Sequence, residues 1–222
     1  MISIAIDGPS GAGKSSIARR VAARLGYLYV DTGALYRAIA LFAHRSGIAD
    51  TDEGALAPRL GDIQVELAYQ EGRQHVFLGG EDVSEEIRRP EMSMAASHVS
   101  AQPAVRAFLL DLQRQMAKQY NVIMDGRDIG TVVLPEADIK IYLTASAEDR
   151  ALRRHQEFLK RGEDISYREV LADINRRDYN DIHREIAPLC RARDAVLLDT
   201  TGNTLEQSVA LVERTIREQL GL

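Results

Sequence analysis

Gly8-Pro9-Ser10-Gly11-Ala12-Gly13-Lys14-Ser15 follows the apolar run Ile2-Ser3-Ile4-Ala5-Ile6 and leads into a helical pattern that starts near Lys14. The stretch completes G-x-x-x-x-G-K-[ST] between a strand and a helix, the setting of a P-loop. A glycine-rich turn with no ligand is the plain alternative, but strand, fixed positions and helix occur together. The glycines let the backbone curl so that successive N–H groups and the positive end of the next helix face a polyphosphate. Lys14 then reaches the β- and γ-phosphates, and the Ser15 hydroxyl ligates Mg²⁺.

Outward from this loop, short apolar runs recur at residues 2–6, 27–30, 121–124, 139–143 and 195–198, with helical patterns between most of them. That alternation predicts βαβ units and a parallel sheet. The expected fold is α/β, of the P-loop NTPase type, with a five-stranded parallel sheet flanked by helices. Four of the runs end in or beside Asp7, Asp31, Asp125 and Thr144. Ligands of open α/β sheets bind beyond the carboxyl ends of the strands, so these residues are expected to crowd the site.

Residues 50–90 break the alternation. Ile63, Val65, Leu67 and Tyr69 alternate with polar residues, Gln70-Glu71-Gly72-Arg73 reads as a turn, and Val76 and Leu78 resume the pattern, which predicts an inserted β-hairpin. A helix is expected from Gln102 or Pro103, proline being suited to a first helical position. Val105, Phe108, Leu109, Leu112 and Met116 share its apolar face, with Arg106 off that stripe. The organisation expected is one kinase-like domain: a core of about 1–35, 91–148 and 186–222, an acceptor-binding region with the hairpin at about 36–90, and a lid at about 149–185.

The 222 residues suffice for a substantial core, and a net charge of −5 with interspersed signs is no footprint for a nucleic-acid polymer. No run approaches a membrane span, and a strand from Ile2 leaves no room for a leader, so a cytoplasmic location is expected. The single cysteine, Cys190, excludes an internal disulfide and a Cys-based zinc site and reads as a small buried apolar residue, not as a nucleophile. His44, His75, His98, His155 and His183 show no metal-ligand spacing. No heptad pattern demands a partner, which favours a monomer.

The guanine-reading N-K-x-D sequence is absent, so the nucleotide's use must be read elsewhere. Asp31-Thr32-Gly33-Ala34-Leu35-Tyr36-Arg37 opens a helix. Asp31 or Thr32 can serve as its N-cap, yet Arg37 near the first turn opposes the helix dipole, a conflict that a bound anion removes. In Asp125-Gly126-Arg127-Asp128-Ile129-Gly130, an Asp at a strand end beside a P-loop suits Mg²⁺, directly or through water. Arg127 beside two carboxylates is alternatively a structural ion pair. Residues 150–193 hold Arg150, Arg153, Arg154, Lys160, Arg161, Arg176, Arg177 and Arg184. Solvated faces with pairs such as Asp173 and Arg177 explain some of them. The bias toward arginine over lysine, suited to bidentate phosphate contacts, points to a closing lid for others.

These residues together resemble the bacterial cytidylate kinase family, of the type with an enlarged nucleoside-monophosphate-binding insert. The likeness runs through I-D-G-P-S-G-A-G-K-S from Ile6, D-T-G-A-L-Y-R from Asp31, G-E-D-V-S-E-E-I-R from Gly80, A-A-S from Ala95, D-G-R-D-I-G-T-V-V from Asp125, and R-R-D through A-P-L over residues 176–189. The resemblance implies an ATP:(d)CMP phosphotransferase with Mg²⁺. ATP would lie on Gly8, Pro9, Ser10, Gly11, Ala12, Gly13, Lys14, Ser15 and Ser16. Asp31, Thr32, Arg37, Ser97, Arg106, Arg127, Asp128, Arg177, Asp181 and Arg184 would take CMP. Arg37, Arg127 and Arg184 would clamp its phosphate, Arg177 would lie near phosphate and sugar, and Asp181 would take a ribose hydroxyl. Ser97, Arg106 and Asp128 would read cytosine. A carboxylate such as Asp128 pairs with the N4 amino group of cytosine and repels O4 of uracil, and a site so built can reject the analogue by up to ~10⁴. Arg153 or Arg154 would serve the transferred phosphoryl group from the lid. Thr32 stands where serine is common in the family, with the hydroxyl kept. Two other readings remain open at this level: a small-molecule P-loop kinase with a different acceptor, and a nucleotide-dependent regulatory module without transfer.

Overall fold

Long aliphatic runs need cover on both faces, and the strands of this chain find it in a parallel sheet. The computed structural model describes residues 1–70 and 73–221; the turn read at 70–73 falls outside them at Glu71 and Gly72. In chain order the elements are β1 (Ser3–Asp7), α1 (Lys14–Leu25), β2 (Leu28–Asp31), α2 (Thr32–Arg45), α3 (Glu53–Leu56), β3 (Val65–Gln70), β4 (Arg73–Leu78), β5 (Glu81–Asp82), α4 (Pro90–Ser100), α5 (Pro103–Gln119), β6 (Val122–Gly126), β7 (Ile139–Thr144), α6 (Ala147–Lys160), α7 (Tyr167–His183), β8 (Val196–Asp199) and α8 (Leu205–Leu220). One π-helical turn, Ile129–Val133, follows β6. The chain forms two compact units, residues 1–29 with 121–222, and residues 30–120.

The first unit carries the five-stranded parallel sheet, ordered β2-β6-β1-β7-β8. Each predicted strand is present, extended by one or two residues at its carboxyl end, so that Asp7, Asp31 and Thr144 are the last of their strands and Asp125 is the last but one of β6. Register sets Asp7 of the central β1 level with Gly126 of β6 and Tyr142 of β7, and Thr144 level with Asp199. Ile4, Ile6, Ile123, Ile141 and Leu143 from the strands pack with Ile17 and Val21 of α1 and Val209, Val212 and Ile216 of α8. Full burial of such a side chain contributes roughly 1.5–3 kcal/mol. A smaller cluster, Ala151, Phe158, Val170 and Ile174, joins α6 to α7. Ser166 and Glu169 close a capping box at the start of α7, satisfying donors that the helix leaves open.

Gly8 leaves β1 at φ +151°, and a Cβ built there would lie 2.0 Å from the Leu143 carbonyl oxygen of β7. The loop therefore starts against the backbone of the neighbouring strand. Gly8→Ala is expected to cost more than about 3 kcal/mol, beyond the usual range for one substitution, because the obstruction is backbone. Urea unfolding of wild type and variant measures it.

In the second unit α2 lies at the centre of an independent core. Leu35, Ile39 and Leu41 pack with Leu56, Val76, Val83, Ile87, Val99, Val105 and Leu109. The predicted hairpin is β3 and β4, paired from Val65↔Leu78 to Gln70↔Arg73, and a short third strand, β5, adds Phe77↔Asp82. Ser84 ends that sheet: its buried Oγ accepts the Val76 N–H at 2.9 Å and donates to Asp82 at 2.6 Å. α5 begins at Pro103 as expected, and Val105 and Leu109 enter this core, within the second unit. Cys190, read as buried, is exposed, whereas Arg106, which lies off the apolar stripe as read, is buried. Its guanidinium donates to the Ser100 carbonyl at 3.2 Å and lies 5.8 Å from the Tyr36 ring centroid, contacts that no residue spacing encodes.

Candidate active site

α1 starts at Lys14 behind Gly13, whose φ of 84° turns the chain without any side-chain cap. The first-turn N–H groups of α1 are thus left for a ligand, as a phosphate loop requires. Ser10, Ala12 and Lys14 are buried, whereas Ser15 is exposed. Lys14 curls back so that Nζ donates to the carbonyls of Gly8 at 2.7 Å and Pro9 at 2.8 Å. Burial, reinforced by the Arg127 guanidinium, pushes its ammonium down to about 7. A polyphosphate is the partner that reverses this bias.

Ser15 donates to Asp125 Oδ2 at 2.8 Å, and Tyr29 donates to Asp125 Oδ1 at 2.9 Å. Asp125 thereby joins the loop hydroxyl to the end of β6, and Tyr29 is a participant that sequence reasoning missed. Asp7 accepts from the N–H groups of Ile129 and Gly130, both at 2.8 Å, and so holds the π-helical turn against β1. Burial pushes its carboxyl up to about 6, although the two N–H donors oppose the shift. Below pH about 4 the group is protonated whether folded or unfolded, and between about 4 and 6 only the folded chain keeps the proton. Its contribution to stability therefore falls as pH rises through that window, by on the order of 3 kcal/mol in all. Asp7→Asn is expected to remove this slope from a series of denaturant unfolding curves at pH 4 to 8. The variant also turns an amino group toward one N–H, so the slope, not the absolute stability, is the readout.

Beyond β6 the predicted arginines and acids meet in pairs. Arg127 Nε donates to Asp181 Oδ2 at 2.6 Å. Burial alone would lower Arg127, but Asp181 more than offsets it and holds the guanidinium above its ordinary value; Asp181 is lowered in turn, burial being outweighed by Arg127. Arg184 lies 3.3 Å from Asp128 Oδ1, with both side chains buried. Its Nε donates to the Ala187 carbonyl at 2.7 Å. Ala187, at φ 49°, is the one non-glycine residue of positive φ among the described residues. Such strain persists where surrounding contacts over-determine it. Here the turn delivers its carbonyl to Arg184, while Leu189 N–H returns to the Asp181 carbonyl at 2.7 Å.

Arg177 is a different case. Its Nε is buried without a hydrogen-bond partner, and burial, then Arg127 and Arg154, lower it to about 10. The i,i+4 pairing read between Asp173 and Arg177 is replaced by Asp173 with Arg176 at 2.8 Å, on the exposed side of α7. Arg154 stands over the Phe158 ring at 5.0 Å, and Arg153 reaches the Thr200 carbonyl at 2.6 Å and Asp149 at 2.5 Å. Arg153 is thus tied to neighbouring backbone, and Arg154 is the one that acts electrostatically on Arg177.

In the second unit Asp31 is the N-cap of α2, accepting Ala34 N–H at 2.9 Å, and its other oxygen takes Arg37 at 2.9 Å. Arg37 is the sixth residue of the helix, and Asp31 at the helix start faces it as a carboxylate partner. Its Nε is nevertheless buried without a hydrogen-bond partner. Gly33 makes this clasp possible, since a Cβ there would lie 3.1 Å from Arg37 Nη1. Thr32 opens α2 and is buried, and the Ser97 carbonyl accepts the Ser100 hydroxyl at 3.0 Å.

Cations gathered against their mutual repulsion, at the mouth of a loop shaped for polyphosphate, fit a second anionic substrate; the fold and this part of the first unit define a P-loop kinase. Comparison with known proteins narrows the class. The chain belongs to the cytidylate kinase family, whose profile matches residues 4–218. It is 50% identical over 206 residues to the cytidylate kinase of Caldicellulosiruptor bescii, covering 93% of this chain and 91% of that protein. The cytidylate kinases of Syntrophotalea carbinolica and Geobacter sp. (strain M21) are 47% and 48% identical, across 97% and 98% of this chain and 92% and 93% of theirs. Among solved structures, an uncharacterized protein from Eubacterium ventriosum aligns with a TM-score of 0.53 at 10% identity, over 97% of this chain and 98% of that one, a likeness of fold alone. The chain is accordingly an enzyme, a nucleoside monophosphate kinase acting on CMP or dCMP.

Proposed function

We propose that the chain transfers the γ-phosphoryl group of ATP to CMP or dCMP with Mg²⁺, giving ADP and CDP or dCDP, and that it works as a cytoplasmic monomer in pyrimidine nucleotide metabolism. The observation that carries this is the cation group Lys14, Arg127, Arg154 and Arg177, in which Arg127 pushes down both Lys14 and Arg177, and Arg154 adds to the effect on Arg177. Such self-repulsion is relieved when two polyanions bind.

Ser15 and Asp125 fit Mg²⁺: a hydroxyl and a carboxylate 2.8 Å apart are hard oxygen donors. Among the described residues no group of three or more His, Cys, Asp or Glu could hold a metal. When bound, Mg²⁺ neutralises charge on the β- and γ-phosphates. No helix is long and apolar enough to cross a membrane among the described residues.

The residue assignments are part of the proposal. Gly8, Pro9, Ser10, Gly11, Ala12, Gly13, Lys14, Ser15 and Ser16 hold ATP. Asp31, Thr32, Arg37, Ser97, Arg106, Arg127, Asp128, Arg177, Asp181 and Arg184 take CMP. A CMP phosphate oxygen, ionised at neutral pH, attacks Pγ; the new O–P bond forms as the bond from Pγ to the β,γ-bridging oxygen breaks, and ADP leaves with that electron pair. No strong general base is needed. Catalysis rests on alignment and on charge held where the phosphoryl group passes, by Lys14, Arg127 and Arg184, with Arg153 or Arg154 from the lid.

A coupled assay with CMP, dCMP, UMP and AMP tests the reading. CMP and dCMP are expected to turn over fastest, with UMP slower and AMP inert. AMP turnover equal to that of CMP would move the chain to another acceptor, and ATP hydrolysis unaffected by any acceptor would remove the kinase reading.

A further inference from the structure

Arg150 and Asp178 form an ion pair to which the transfer mechanism gives no part. Nη1 of Arg150, on α6, lies 2.6 Å from Asp178 Oδ2 and donates to the Ser10 carbonyl at 2.8 Å. Nε of the same guanidinium is anchored on the Ala145 carbonyl at 2.9 Å. The other oxygen of Asp178, on α7, accepts the Ser10 N–H at 3.2 Å. The two side chains are only 7% and 15% exposed. One salt bridge thus holds both peptide groups of a single phosphate-loop residue. The next residue, Gly11, passes so close that a Cβ on it would meet Arg150 Cβ at 3.3 Å.

A buried ion pair is a weak source of stability compared with apolar packing, and its better-attested use is to specify one arrangement. Here the arrangement is that of the loop relative to α6 and α7. Asp178 follows Arg177 directly and precedes Asp181 by one helical turn, so the helix that carries two acceptor-site residues also grips the donor loop. Its geometry offers nothing for a phosphate, since an acid repels one.

We infer that Asp178 is a positioning residue: through Arg150 and Ser10 it fixes the donor loop against α7, so that the γ-phosphate and the acceptor phosphate stand in line. The inference rests on the kinase reading above. Misplacement of reacting groups by about 1 Å can cost 10²-fold in rate. The clasp touches neither substrate and bears on how the two bound phosphates are aligned, so its loss acts on kcat and leaves KM for ATP and CMP near wild type.

The full-length chain and its D178N, D178E, R150M and R150M/D178N variants are assayed for kcat and KM, with thermal unfolding alongside. D178N is expected to lower kcat by ~10- to ~10²-fold while folded, D178E to recover part of it, and the double variant to be no slower than the slower single one. Wild-type kcat in folded D178N overturns the inference, as does a double variant whose loss is the product of the two single losses. Should D178N fail to fold, D178E and R150K carry the test, and unchanged kcat in both overturns it. A wild-type chain that phosphorylates neither CMP nor dCMP defeats the kinase reading itself, whereas an active wild type matched by active D178N defeats only the clasp.

Discussion

Lys14→Ala lowers the rate of CDP formation by ~10³ or more, with the chain still folded. The side chain is buried where its charge is disfavoured, and it is retained there by the carbonyls of Gly8 and Pro9. A buried ammonium in such a place contributes little to the apolar core, which Ile17, Ala18 and Val21 of the same helix supply. Its use appears only with phosphate present, when the developing negative charge on the transferred group meets a cation already in position. The two electrostatic states differ most in the transition state, so the loss falls on kcat as well as on nucleotide affinity. A coupled assay at saturating ATP and CMP measures the loss, and a thermal unfolding curve close to wild type shows that the fold survives. Near-normal CDP formation by the variant would remove Lys14 from the chemistry and the loop from the donor site.

The parallel sheet, the loop and the acidic or hydroxyl residues at four of the five strand ends were legible because each depends on local pattern: aliphatic runs, fixed glycines, and residues that terminate a strand. Pairing between charges was not. Asp31 was legible as an N-cap of α2, but its second contact, the ion pair with Arg37 six residues on, was not, because it depends on the rotamers of both side chains. Asp173 meets Arg176 and leaves Arg177 inward because the helix rotation that buries Val170 and Ile174 turns Arg177 with them. The position of Arg106 off the apolar stripe was legible, but not its burial, which depends on Tyr36 and the Ser100 carbonyl, more distant in sequence than the helical period reaches. Arg150 was visible only as one arginine of many, and Asp178 not at all, because both act on Ser10 from about 140 and 168 residues away. The strand register that makes Gly8 obligatory was hidden for the same reason: its obstruction is the Leu143 carbonyl of another strand.

Replacing Arg177 by methionine is expected to separate function from stability. Its Nε is buried without a hydrogen-bond partner, and burial, Arg127 and Arg154 lower the guanidinium to about 10. A base lowered in the folded state carries a penalty that is fully present below its folded value and disappears as pH rises from about 10 toward the group's ordinary value. At pH 7 the whole penalty applies, on the order of 2–3 kcal/mol. Arg177→Met removes the charge and keeps most of the volume, so the variant's melting temperature should rise by several degrees in the absence of substrates. Turnover moves the other way: the cation that an acceptor phosphate would satisfy is gone, and kcat/KM for CMP is expected to fall by ~10² to ~10³. Saturating CMP stabilises whichever chain binds it by mass action, so the wild type should gain more from CMP than the variant does and the difference in melting temperature should narrow or reverse. A variant that melts lower than wild type without substrates would mean that Arg177 has a protein partner strong enough to outweigh its burial. Unchanged kcat/KM for CMP would free Arg177 from the acceptor site whatever its effect on stability. Gain in the empty chain together with loss in turnover is the signature of a cation kept, at a cost to the fold, for an anion that arrives from outside.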